Sequence, residues 1–449
     1  MMKSLEDIAC ALQGYDPSAL PASKVNEFLA ALVQPVRTTE KLGLFNALDR
    51  VLAQEIVSPI SVPAHDNSAM DGFAFSGLQM VAGQATALKI VGTALAGKAW
   101  QGVIALGECV KIMTGAVMPA GLDTVVPQEM CSLDGDVITI QANALKTGDN
   151  RRFAGEDLMA GSIALPKGEL LAPAALGLLA SLNIGEVLVY RKLKVAYFST
   201  GDEVLSLGDA ASEGAIYDSN RYTVNALLRR WGHDVIDMGV VRDSPEALEA
   251  AFMQAAAQAD AVITSGGVSV GEADHTKAMM KKLGDVVFWK IAMRPGRPMA
   301  VGRISSSDFK GKSGDSRHEI SARSYQNDSI LFGLPGNPVA TMVTMLAFVR
   351  PALLMMSGAN AEKYCSEPLY LQAASQENLR KKPGRTEYQR GLVSRAADGR
   401  LQVRTTSSNQ GSGVLSSMVQ ANGLIVLHHD QGNVALGENV DVMMFEGVM

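Results

Sequence analysis

The chain has 449 residues, 47% of them hydrophobic and 19% charged, with a formal net charge of −6. That is ordinary globular composition for roughly three or four domains, and a net negative chain argues against general binding to nucleic acid or to an anionic membrane. Four scattered cysteines without a CxxC pair argue against a disulfide framework or a structural zinc site. The start MMKSLEDIACALQGYD lacks a signal-peptide core and no uninterrupted apolar run reaches bilayer thickness, so a cytoplasmic protein is expected.

In chain order, KVNEFLAALVQPV (24–36) and EKLGLFNALDRVLAQEIV (40–57) repeat apolar residues at three- and four-residue spacing, which predicts helices over the first sixty residues. Past Pro59, the short pieces ALKIVGTAL, GECVKIMTG, DTVVPQEM and DVITIQAN predict a small all-β module over 61–156. Helical spacing returns in APAALGLLASLNIG (172–185). The β-module is therefore expected as an insertion in a discontinuous helical domain made of 1–60 and 157–192. From Lys194 strand and helix alternate through LKVAYFST, SNRYTVNALLRRWG, HDVIDMGVV, DSPEALEAAFMQAAAQA, DAVITSGG, a helix near 274–283 and VVFWKIAM. Such alternation predicts a mostly parallel sheet covered by helices over 193–357, with ligands at the carboxyl ends of the strands. NPVATMVTMLAFVRPALLMM is an apolar helix closing that domain, with Pro351 as a kink point. Residues 305–329 are polar and aperiodic, as a surface loop would be, and short strands predict a final β-domain over 358–449.

Chemistry-bearing residues gather in the loops of the αβ segment. FSTGDEV offers Asp202 and Glu203, YDSNR offers Asp218 and Asn220, and VVRDSP offers Asp243. TSGGVSVGEAD brings Ser265, Gly266, Gly267, Ser269 and Asp274; glycine amides beside a helix start are a common setting for phosphate. KIAMRPGRP contributes Lys290, Arg294 and Arg297, and LPGNPVAT contributes Gly336 and Asn337. Each has a plainer reading: Asp218 and Asp243 as N-caps, Glu203 and Lys290 as solvated charges, MRPGRP as a stiff turn. Their shared position at one end of successive strands favours the functional one. Carboxylates beside phosphate-binding amides imply a divalent cation, and hard oxygen ligands favour Mg²⁺. The six histidines make no zinc pattern. DNSAMDGFA (66–74) reads equally as an Asx-rich turn or as a functional loop.

Taken together, DNSAMDGFA, IMTGAVMPAGLDTVVPQE, RRFAGED, FSTGDEV, YDSNR, TSGGVSVGEADHTK, KIAMRPGRP, GLPGNPVA, KKPGRTEYQRG and QGSGVLSSMVQANGL closely resemble the molybdopterin molybdenumtransferase family, which includes bacterial MoeA and the E domain of gephyrin. The resemblance spans nearly the whole chain. It implies a helical domain interrupted by a β-domain, a molybdopterin-binding αβ domain, a C-terminal β-barrel-like domain, and a homodimer. It further implies Mg²⁺-dependent cleavage of adenylated molybdopterin, release of AMP, and insertion of molybdate at the dithiolene.

Carried residue by residue, the resemblance makes Gly266, Gly267, Gly336 and Asn337 the nucleotide and phosphate cradle, with Asp218, Asn220 and Ser265 beside it. It makes Glu203, Asp243 and Asp274 the acidic cluster for Mg²⁺. Asp71, Thr114 and Asp157 become functional positions of the β-module, contributed across the dimer. Lys290, Arg294, Pro295, Arg297, Arg385 and Ser412 would hold molybdate and phosphate oxygens. Arg294 and Arg297 stand where many relatives have lysine, and Ala340 where relatives often have serine, so that hydrogen bond is lost or moves to Thr341. A molybdopterin adenylyltransferase is the neighbouring activity on the same αβ fold and a conceivable partner. A non-catalytic molybdopterin-binding scaffold is the remaining reading, but the acidic positions Asp71, Glu203, Asp243 and Asp274 are all present.

Overall fold

The computed structural model describes residues 4–268, 275–304, 328–365 and 369–445. The chain divides into two units, one of residues 1–53, 168–171 and 187–449, the other of residues 54–167 and 172–186.

The larger unit begins with helices α1 (Leu5–Ala11) and α2 (Ala22–Leu32). Ser4 and Asp7 form a reciprocal capping box at the start of α1, with amide-to-side-chain distances of 3.0 and 3.1 Å. α2 buries Val25, Phe28, Leu29 and Leu32, one face of a helical repeat. Residues 40–57 are not helical, against the expectation from their spacing. Thr39–Gly43 is a strand paired with Glu186–Tyr190, and Leu44–Asn46 is a 3₁₀ turn. Asp49 is left-handed at φ 59°, Val51 bridges Leu170 and Leu52 bridges Val189. Gly43 and a left-handed Asp49 are both costly inside a helix, and strand partners absorb the apolar side chains instead.

In the smaller unit, β1 (Gly72–Phe75), β2 (Thr86–Ala94), β3 (Glu108–Ile112), β4 (Thr124–Pro127), β5 (Cys131–Asp134) and β6 (Val137–Ile140) form one sheet in the order β4-β1-β3-β2-β6-β5. One apolar cluster takes Ala74, Val110, Ile112 and Val125; a second takes Phe73, Phe75, Cys109 and Val126. Alternating residues thus feed opposite faces, as the pleat requires. Helix α3 (Pro173–Ser181) opens on a proline and stops before a left-handed Asn183.

The αβ segment lies in the larger unit. It runs β7 (Lys194–Thr200), α4 (Ser219–Arg230), β8 (Asp234–Val241), α5 (Pro245–Gln258), β9 (Ala261–Ser265), α6 (His275–Leu283), β10 (Gly284–Lys290), β11 (Pro298–Ile304) and β12 (Ser329–Leu334), in the sheet order β8-β7-β9-β12-β11-β10. The first four strands are parallel, and β11 is antiparallel to both its neighbours. The carboxyl ends of β7, β8, β9, β10 and β12 therefore share one edge. Ala196, Phe198 and Val262 pack with Phe252 and Met280 on one face, while Val195, Tyr197 and Ile263 pack with Leu228 and Val343 on the other. With both faces covered, β9 and β12 are buried along their whole length.

After β12 come α7 (Pro338–Thr344), a π turn at Met345–Val349 and α8 (Arg350–Met356). Pro351 lacks an N–H and crowds the carbonyl of Ala347, and the wider π turn falls on those residues. By length and composition Pro338–Met356 could cross a membrane, but it is 83% buried inside the protein, where a core helix needs the same apolarity. The polar stretch expected as a loop lies outside the described residues at 305–327, and Ser329 is already the first residue of β12.

The remaining strands are β13 (Leu371–Ser375), β14 (Thr386–Arg395), β15 (Leu401–Thr405), β16 (Gly423–Leu427) and β17 (Asn439–Met444). Pairings β14–β15, β15–β13, β13–β17, β17–β16 and β16–β14 close a five-stranded barrel. Ala373, Val403, Ile425, Val440 and Val442 cluster as its core. Met293–Arg294 pairs in parallel with Thr386 and Glu387, which ties the β10–β11 connection to β14.

Candidate functional site

A cleft of about 700 Å³ opens where the carboxyl-end loops of the αβ sheet meet a loop from the barrel. Its wall is formed by Thr200 and Glu203 after β7, Asp218 and Asn220 at the start of α4, and Ser265 to Val268 after β9. Arg294 to Pro298 between β10 and β11, Gly336 to Pro338 after β12, and Gln410 to Ser412 complete it.

The acidic side is built by helix and strand ends. Asp218 is the N-cap of α4: its Oδ1 accepts from the Arg221 amide at 3.0 Å. Its other oxygen, Oδ2, is buried and has no partner among the described residues. Asn220 donates through Nδ2 to the Gly336 carbonyl at 2.7 Å, joining α4 to the Gly336 turn, while its buried Oδ1 is likewise unpartnered. Two orphaned acceptors on cleft residues are rare in a settled interior and mark a place for a donor-bearing ligand or a cation. Gly266, at φ +93°, could not carry a side chain, since a Cβ would stand 2.5 Å from the Thr200 carbonyl. Gly267 is equally constrained by Thr276, at 2.3 Å from its would-be Cβ. The Gly266–Gly267 turn is thus pressed against β7 and α6, with its backbone in the cleft wall.

Under that turn lie three hydroxyls that sequence reasoning only partly found. Tyr197 Oη is 2.8 Å from Ser199 Oγ and 2.7 Å from Ser265 Oγ, and burial pushes the phenol well above its ordinary range. The trio fixes the Ser265 hydroxyl at the cleft floor.

On the basic side, Arg294, Pro295 and Arg297 line the cleft, and α7 begins at its wall with Pro338. Asn337 is the N-cap residue of α7 but makes no side-chain cap; the Val339 amide instead donates to the Ser412 carbonyl of the barrel loop at 3.0 Å. Ala340 lines the cleft, whereas Thr341 is not among its lining residues. Its hydroxyl is buried and donates to the Pro335 carbonyl at 2.6 Å.

Not every expected residue lines the cleft. Asp243 lies beyond β8, its amide donating to Asp202 Oδ1 at 3.2 Å and its carboxylate accepting from Thr276 Oγ1 at 3.5 Å; Ser244, not Asp243, caps α5. Lys290 ends the edge strand β10 and is exposed. Arg385 is 2.7 Å from Glu387, which lines an adjoining cleft of about 340 Å³ shared with Arg294 and Gly411. Asp274 and Ser269 lie outside the described residues. Among the described residues no group of three metal-ligating side chains is assembled.

In the smaller unit, the Thr114 amide and hydroxyl both donate to Asp71 Oδ1, at 2.6 and 2.8 Å. Those two bonds, with Lys111 nearby, hold the Asp71 carboxyl below the usual carboxylate range. Asn67–Ser68 pairs antiparallel with Arg151–Arg152, and Arg151 is ion-paired to Asp66. The DNSAMDG segment is therefore a pinned loop between the 113–118 and 150–156 segments. Asp157 is exposed, and its amide donates to the Val62 carbonyl at 3.1 Å.

Family models match most of this chain: residues 21–183 the MoeA N-terminal region (domain I and II), residues 196–355 the "Probable molybdopterin binding domain", and residues 372–445 the MoeA C-terminal region (domain IV). The chain is similar to the molybdopterin molybdenumtransferase of Haemophilus influenzae, at 41% identity over 413 residues covering 92% of this chain and 95% of that one. A Nostoc protein of the same name is 32% identical over 431 residues, with 95% and 93% covered. Among solved structures, the crystal structure of the molybdopterin biosynthesis moeA protein of Pyrococcus horikoshii OT3 is similar at a TM-score of 0.74 and 25% identity, covering 95% of this chain and 100% of that one.

Proposed function

Since the chain belongs to the molybdopterin molybdenumtransferase family, a transferase family of molybdenum cofactor biosynthesis, we propose that the cleft on its αβ edge performs the insertion step itself. In this reading the substrates are adenylated molybdopterin and molybdate, and the reaction releases AMP. The strongest support is the division of one cleft into an acidic, amide-rich wall with orphaned buried oxygens and a wall bearing Arg294 and Arg297.

The nucleotide phosphates lie on the Gly266–Gly267 and Gly336–Asn337 turns, near the N-terminal end of α7, whose dipole favours anions. The arginines offset the negative charge that develops as the pyrophosphate linkage breaks, and with Ser412 they hold molybdate beside the dithiolene, so that transfer is effectively intramolecular. The donors at the acidic wall suit a hard cation: Asp218 Oδ2 has no partner among the described residues and Glu203 shares the cleft, while Asp243 and Asp274, which come after β8 and β9 in the chain, are the further carboxylates of this reading. They would hold Mg²⁺, whose charge would screen the pyrophosphate. The working form in this proposal is a homodimer in the cytoplasm, with Asp71, Thr114 and Asp157 serving from the second copy. Lys290 and Arg385 contribute positive charge from farther out.

The test is AMP release from adenylated molybdopterin by the purified protein, with Mg²⁺ and molybdate. Glu203→Gln is expected to slow release by about a hundredfold, the scale on which positioned electrostatic groups act. Release at the wild-type rate in that variant would remove the acidic wall from the mechanism.

A further inference from the structure

A second hollow lies at the opposite edge of the αβ sheet, where β7, β9 and β12 begin. Its volume is about 700 Å³, like that of the cleft at their carboxyl ends. Lys194 opens β7 and lines the hollow, while Thr200, at the other end of that strand, lines the cleft. About 20 Å of extended chain therefore separates the two. Among the described residues, none assigned to the reaction lines the hollow.

Its charges are unevenly matched, although the chain as a whole is net negative. Arg37, Arg191, Lys194 and Arg303 line it, against the carboxylates Asp260 and Asp328. Asp260 is already engaged: its two oxygens each accept from Arg191 at 2.6 Å, and Oδ2 also accepts from the Lys194 amide at 2.8 Å. Arg303 is only 4% exposed, and its Nη2 donates to the Leu32 carbonyl at 3.0 Å, which fixes one guanidinium in the lining. Arg37 and Lys194 are exposed, and their side chains make no hydrogen bond or ion pair among the described residues. The carboxyl end of α5, whose dipole would repel an anion, is covered: Ser329 Oγ donates to the Ala256 and Ala259 carbonyls at 3.1 and 2.5 Å. Between the charges, Leu32, Pro35, Val36, Ile330 and Met356 give the lining an apolar part. A hollow of several hundred cubic ångström with apolar surface and a few convergent charges has the form of a small-molecule site.

We propose that this hollow is a second binding site, for a small organic phosphate. Its phosphate group lies among Arg37, Lys194 and the fixed Arg303, and its apolar body rests on Val36, Ile330 and Met356. The guanidinium forks match phosphate oxygens, and Lys194 adds a point charge on a flexible stem. The site does not depend on what the catalytic cleft binds.

Equilibrium titration of the full-length protein with phenyl phosphate and, separately, with inorganic phosphate tests this. Wild type is compared with the double variants Arg37→Ala with Lys194→Ala and Arg294→Ala with Arg297→Ala. Arg37 and Lys194 are exposed, so their removal should leave folding unchanged. The expected result is a phenyl phosphate binding event that weakens at least about tenfold without Arg37 and Lys194 and less than about twofold without Arg294 and Arg297. Phenyl phosphate that binds equally with and without Arg37 and Lys194, or does not bind wild type, would overturn the proposal. So would inorganic phosphate binding as tightly as phenyl phosphate, because the apolar part of the hollow would then have no role.

Discussion

Asp218 separates structural and functional roles on the two oxygens of one carboxylate. Oδ1 caps α4, and Oδ2 is buried without a partner on a residue of the cleft wall. Asparagine caps helices as well as aspartate does but carries no charge, so Asp218→Asn should change the unfolding free energy by less than about 0.5 kcal/mol. AMP release should nevertheless fall at least about tenfold if the carboxylate faces metal or substrate. Thermal unfolding and turnover of the same preparation check both halves; a destabilised but fully active variant would reduce Asp218 to a cap. The YDSNR pattern made Asp218 legible in the sequence, because an Asx residue directly before a helical repeat has few other uses. The Tyr197–Ser199–Ser265 trio was not legible beyond Ser265. Within LKVAYFST, Tyr197 reads as one more apolar strand residue, and only the parallel register of β7 with β9 brings its hydroxyl to Ser265. Asp243 shows the opposite failure: its plainer sequence reading was the N-cap of α5, and the observed bond from the Ala247 amide gives that role to its neighbour Ser244.

At the scale of elements, the turn from α4 into β8 carries a pH-sensitive group. His233 is buried there, and desolvation, then Lys192, lower its pKa from 6.5 to about 4. The unfolded chain therefore takes up this proton first as pH falls. The stability held by a neutral His233 is complete above about pH 6.5 and is lost toward pH 4, by up to about 3 kcal/mol. Denaturation midpoints at pH 7 and pH 4.5 should differ less in His233→Gln than in wild type; parallel declines would show that other groups set the acid limit. The alternation after Lys194 was readable because each element has its own period and its own glycine or proline boundary. Residues 40–57 were misread because apolar spacing records how often side chains are buried, not whether one helix or several strand partners bury them. β11 and the antiparallel edge of the sheet were missed for a related reason: a short apolar run carries no sign of its direction.

At the scale of the molecule, the larger unit brings two fold classes to one cleft. The parallel strands deliver loop ends to a common edge, and the closed barrel lends a three-residue wall that also satisfies the first turn of α7. No single motif specifies that meeting. It depends on β14 pairing with Met293–Arg294 and on the Ser412–Val339 bond, both between residues far apart in sequence. The smaller unit keeps a separate acidic position, Asp71 held by Thr114, whose depressed pKa leaves it ionised across the neutral range. By its family this chain transfers molybdenum to molybdopterin. The most direct measurement supplies the purified protein with adenylated molybdopterin, Mg²⁺ and molybdate, then asks whether the product reconstitutes a molybdenum-free molybdoenzyme while AMP is counted. Reconstitution that requires molybdate, with AMP and inserted molybdenum appearing in equal amounts, is the predicted result. Tight binding of the adenylated pterin with neither AMP nor reconstitution would contradict it and leave the cleft as a carrier site.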